Sequence, residues 1–138
     1  MELWNLTTRR QVVPEVVVAD RWWRRLRGLM ARRHWPTDRA LMITPCTSIH
    51  TCFVRFAIDV IYLGAGGTVL RVVAGLRPWR VSVGPKGTTD VVELYGGTLA
   101  SRGVRRGDVL CVCRDGDAPA GAIQQREAQP PSTAATIL

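Results

Sequence analysis

Apolar residues in this chain come in short runs broken by glycine, proline and charge, the rhythm of strands and not of long helices. Glu2 to Leu6 and Gln11 to Val18 open the series, the second a valine run in which Pro14 predicts an edge or a bulge. From Asp20, a reasonable N-cap, the period changes: Trp22, Trp23, Leu26, Leu29 and Met30 gather on one side of a helix while Arg21, Arg24, Arg25 and Arg27 point away. Gly28 either interrupts this helix or ends its regular part. Beyond Pro36 to Asp38 the strand pattern returns at Ala40–Ile43, Ser48–Val54, Asp59–Leu63 and, past the turn Gly64–Gly67, at Thr68–Ala74. Arg80–Val83 and Asp90–Tyr95 flank a Gly-Pro-Lys-Gly turn, and a short helical turn at Thr98–Arg102 leads through Gly103 and the turn Arg106–Asp108 to a last strand ending at Cys113.

Many short strands with hardly any helix predict an α+β, mainly β domain: a small curved antiparallel or mixed sheet forming a barrel-like unit with one or two short helices. The length of 138 residues suits one such domain, expected over 1–113, with a disordered tail over 114–138 where no apolar period survives. The N-terminus shows no secretory pattern and no apolar run is long enough to span a membrane, so a cytoplasmic location is expected. In that compartment Cys46, Cys52, Cys111 and Cys113 are read as free thiols. The net charge of +8 invites an anionic partner, but every basic residue except Lys86 is arginine, as a GC-rich codon supply would give, and charge by itself carries little weight here.

Three segments resemble one family. RRLRGLMARR (Arg24–Arg33), PCTSIHTCFVRFAIDVIYL (Pro45–Leu63) with GGTVLRVV (Gly66–Val73), and VVELYGGTLASRGVRRGDVL (Val91–Leu110) are similar, in order and spacing, to domain of unknown function 192, over about 24–110. Val54 and Ala57 stand where many members have methionine and proline. The resemblance implies no established activity, and it implies a pilus or secretion-system protein as a partner, through the genes that neighbour members in high-GC bacteria. Arg24 and Gly28 occupy motif positions, so Arg24 is expected to meet a carboxylate, Asp59 or Glu93.

The segment TPCTSIHTCFVRFAIDVIYL threads polar groups through apolar ones. If it reverses through Arg55 to Ile58 as a plain hairpin, Ile49, Thr51, Phe53, Val60 and Tyr62 share the core face, and Ser48, His50, Cys52 and Asp59 share the other with aliphatic residues, like the lining of a groove. Ser48, His50, Thr51, Cys52, Asp59 and Arg24 are therefore the candidate ligand-binding residues. In that register His50 and Asp59 stand about 13 Å apart, too far for a catalytic dyad. Each also has an architectural reading: Asp59 as a turn cap or arginine partner, His50 as a satisfied core imidazole.

Metal binding by Cys46, His50, Cys52, Cys111 and Cys113 lacks knuckle spacing, and no motif calls for a cofactor. The arginine segment, through Arg21, Arg25 and Arg32, offers a weaker anion-binding candidate; with its tryptophans phased inward it reads better as a solvated face than as a nucleic-acid or acidic-membrane grip. Glu93, alone among the apolar letters of VVELY, must find a partner or an exposed face. The reading that results is a small binding module with a polar groove for a small ligand or partner peptide. The alternatives are a small hydrolase or transferase using His50 as base, and an anion binder.

Overall fold

The computed structural model describes residues 1–21, 24–25 and 28–120. Ten strands are defined in chain order: β1 Glu2–Asn5, β2 Arg10–Val13, β3 Glu15–Ala19, β4 Arg39–Ile43, β5 Ser48–His50, β6 Ile58–Leu63, β7 Val69–Leu76, β8 Val81–Val83, β9 Asp90–Tyr95 and β10 Leu110–Cys113. They form a five-stranded sheet in the order β3-β4-β9-β6-β7, a three-stranded sheet β10-β1-β2 and a two-stranded ribbon β5-β8. The domain is mainly β with curled sheets, as the pattern of short apolar runs implies, and no single ring of strands closes among the described residues.

Pro14 does more than mark an edge. It cuts the valine run into two strands belonging to different sheets, β2 and β3, because it has no N–H to continue a ladder. β3 runs parallel to β4, and residues 20–38 make the crossover that a parallel pair needs. Within the crossover, Arg25 N donates to Arg21 O at 2.9 Å and Gly28 N to Arg24 O at 3.0 Å, the bonds of a helical turn. Trp22, Trp23, Leu26 and Arg27, which belong to the expected helical phase, lie outside the described residues, as do 121–138 of the expected tail.

The central sheet is buried on both faces. On one, Ile61, Leu63, Val92 and Leu94 pack with Leu3, Val12, Val13 and Leu110 of the three-stranded sheet and with Leu99. On the other, Val60, Tyr62, Val91, Leu41 and Ile43 pack with Leu29, Trp35, Ile49 and Val54. Alternation along each strand separates the two clusters: β6 sends Asp59, Ile61 and Leu63 one way and Ile58, Val60 and Tyr62 the other.

The expected hairpin between Ser48–Val54 and Asp59–Leu63 does not form. β5 ends at His50 and pairs antiparallel with β8, His50 opposite Val81, while β6 lies between β7 and β9. Two residues explain the early end. Thr51 turns inward, where its N–H donates to Arg80 O at 2.8 Å and its hydroxyl to Arg77 O at 2.6 Å. Phe53 has a left-handed backbone, φ 62°, which no strand continues through.

Candidate functional site

Glu93 sits on β9 opposite Leu41 of β4 and Val60 of β6. Valines and leucines surround it in the strand because the middle of a sheet covered on both faces demands them, and Glu93 is itself only 3% exposed. No hydrogen bond or ion pair reaches it among the described residues. Burial alone pushes its pKa from the usual 4.5 up to about 8, so at neutral pH it is chiefly a carboxylic acid, able both to donate and to accept.

The carboxyl faces a cavity of about 610 Å³. Leu29, Ile43, Pro45, Ile49 and Val81 provide apolar walls; Arg25, Cys46, Ser48 and His50 contribute the polar groups beside Glu93. Gly28 explains part of the space. Its φ of +46° suits glycine, and a methyl group there would lie 3.6 Å from Glu93 Oε2 and 3.9 Å from Ile43 Cδ1, projecting into the hollow. Arg25 is partly fixed, since Nη1 donates to Asp20 O at 2.6 Å. The Cys46 thiol donates to Ser48 O at 3.0 Å, and burial, acting against that bond, pushes its pKa up. A thiol held protonated in this way is not an activated nucleophile. His50 is exposed at the mouth.

Asp59 is elsewhere. Its side chain leaves the opposite face of the central sheet, where Oδ1 accepts from Gly75 N at 2.9 Å and Oδ2 from Leu99 N at 2.9 Å, and it is 1% exposed. The hollow shared by His50 and Asp59 therefore does not exist: β5 is not the hairpin partner of β6, and the sheet stands between the two side chains. Thr51 is fully buried and spent on the 77–80 turn, and neither it nor Cys52 lines the cavity. Of the expected ligand-binding set, Ser48 and His50 meet at the cavity, and Arg24 is exposed on the neighbouring helical turn. Of the anion-binding set, Arg25 lines it, Arg21 is exposed, and Arg32 lies over the Trp35 ring, 5.1 Å from its centroid.

Glu93, Cys46, Pro45 and Gly28 were missing from the expected ligand-binding residues. The signal for the first was present, a charged letter in a buried strand; the cavity itself is made by the crossover and the 43–50 segment, which includes β5, meeting over β9, and no local pattern encodes that. Among the described residues no group of three or more His, Cys, Asp or Glu is placed to hold a metal.

Fold and site together define a small, mainly β domain with a mostly apolar cavity into which a buried carboxylic acid faces. The family model of domain of unknown function 192, described as "Uncharacterized ACR", matches residues 5–112, and the chain belongs to this family. It is 32% identical over 111 residues to a UPF0127 protein of Pyrococcus furiosus, an alignment covering 77% of this chain and 93% of that one. A protein of unknown function from Novosphingobium aromaticivorans has a similar solved structure, with a TM-score of 0.73 at 19% identity over 81% of this chain and 84% of that one. So has a Sinorhizobium meliloti protein described as a candidate transcription regulator, with a TM-score of 0.70 at 22% identity over 80% and 89%. At these identities the two structures bear on the fold alone.

Proposed function

We propose that the protein is a binding module whose cavity takes a small, largely apolar molecule, or the end of a partner chain, through an acceptor of carbonyl or carboxyl type. The observation that supports this reading is Glu93: a buried carboxyl with no hydrogen bond or ion pair among the described residues, lining an open cavity. Leaving such a group unpaired costs about 1–3 kcal/mol, and a fold needing only a core would save that with valine. A cavity of this size falls within the range of small-molecule sites, which are mostly apolar with a few convergent polar groups. Ser48 supplies a second hydroxyl contact, and Arg25 favours an acceptor carrying negative charge.

The test is a fragment series on the full chain at neutral pH, comparing short aliphatic carboxylic acids and amides with aliphatic amines, read by melting temperature and by amide chemical shifts of Gly28, Cys46 and Glu93. Acids and amides are expected to bind, to survive Glu93→Gln, which keeps a donor, and to be lost in Glu93→Leu, whose fold persists. Amines as the preferred class, or no shift from any fragment at millimolar concentration, would refute the reading.

A further inference from the structure

Away from the cavity floor, the end of the molecule formed by the 51–55 and 77–81 segments exposes large apolar side chains. Phe53, Trp79, Val81 and Val83 are 61%, 60%, 73% and 63% exposed. The Phe53 and Trp79 rings meet edge to face, centroids 4.8 Å apart, and Ala31, Pro78 and Arg55 border the same hollow. Both aromatic residues have left-handed backbones, φ 62° and 61°, uncommon for bulky side chains. The fold holds them there: Trp79 N donates to Thr51 O at 3.1 Å, Arg80 N to Thr51 Oγ1 at 2.8 Å and Ala31 N to Phe53 O at 3.0 Å. Val81 and Val83 stand outward from β8 while Ser82, between them, turns in to the Tyr62 hydroxyl.

The charge around this tip has one sign. Arg55, Arg77 and Arg80 are exposed beside it, and neither 44–58 nor 60–89 contains an acidic residue. We infer that this tip docks the protein on an anionic phospholipid bilayer, with Phe53, Trp79 and the two valines entering the interface and the arginines meeting the headgroups. Aromatic rings at the headgroup boundary, aliphatic side chains beneath and arginines around them are what such a surface binds. A nucleic acid would use stacked aromatic faces, whereas these rings cover one another edge to face and the valines would contribute nothing. No helix among the described residues is long and apolar enough to cross a membrane; the inference concerns adsorption, not spanning. Val81 belongs both to this tip and to the cavity lining, so the cavity opens beside the docked surface.

Co-sedimentation of the full chain with vesicles tests this, comparing phosphatidylcholine alone with phosphatidylcholine containing phosphatidylglycerol. Binding is expected only with the anionic lipid, weakened by salt, and lowered about thirtyfold by Arg77→Ala with Arg80→Ala. Phe53→Asn with Trp79→Asn should abolish it while melting stays unchanged, because asparagine tolerates the left-handed backbone. Absence of vesicle binding, equal binding to neutral lipid, retention in the double asparagine variant, or tighter binding to a single-stranded oligonucleotide would each overturn the inference. Glu93→Leu should leave vesicle binding intact, which separates this result from that of the cavity.

Discussion

Two buried carboxyls on opposite faces of one sheet show how placement decides what a residue does. Asp59 receives two backbone amides, from Gly75 and Leu99, and so ties β7 and the 98–101 turn to β6. Asp59→Ala leaves the buried Leu99 N–H and the part-buried Gly75 N–H without their acceptor, and urea unfolding should show a loss on the order of 2–4 kcal/mol. Glu93 has no such donors among the described residues and keeps its proton up to about pH 8, whereas in the unfolded chain it releases it near 4.5. Between these values the folded state binds the extra proton, so stability is fully present below pH 4.5 and is lost as pH rises through 8. The contribution is on the order of a few kcal/mol. Glu93→Gln should abolish that slope in denaturant melts taken from pH 5 to 9 and should exceed the parent in stability at the alkaline end. A slope that persists in the variant would assign the pH dependence to another group.

At the scale of elements, strand existence was largely written in the pattern of apolar runs, and strand partners were not. The sequence places strand character at β4, β6, β7, β8 and β9 nearly where they lie, because each alternates or runs apolar between turn residues. It misleads at β5, where SIHTCFV reads as one strand although Thr51 is diverted into bonds with a loop some thirty residues later and Phe53 bends the chain. Pairing of β5 with β8 rests on those distant bonds, and alternation within one segment cannot announce them. Connections carry comparable constraints. Gly67, φ +81°, lets the 65–67 turn press on β10: a β-carbon there would lie 2.1 Å from Leu110 O. Gly67→Ala should therefore force the 65–68 turn away from the chain entering β10, where Thr68 bridges Val109, with a melting loss corresponding to about 2–4 kcal/mol, and the amides of Val69 and Gly107, which bond across this junction, should lose hydrogen-exchange protection first.

For the whole molecule, the central sheet works as a partition. One face packs on the three-stranded sheet; the other packs under the crossover, the 43–50 segment and the β5-β8 ribbon, and the cover there leaves the cavity that Glu93 lines. Family membership was legible in three spaced segments, of which RRLRGLM and VVELY bring Gly28 and Glu93 together at that cavity. His50 and Ser48 reached it by an unforeseen route, through the ribbon. Asp59, the other half of the expected pair, was displaced because a single strand alternation places it on the opposite face, the one packed against the three-stranded sheet.

The most direct test of this division is a carbon NMR titration of the Glu93 side-chain carboxyl in the ligand-free full chain, with Asp59 followed in the same spectra. A carboxyl buried beside the cavity predicts a midpoint near 8 for Glu93. A midpoint near the ordinary 4.5 would mean a solvated or ion-paired carboxylate and would contradict the site described above.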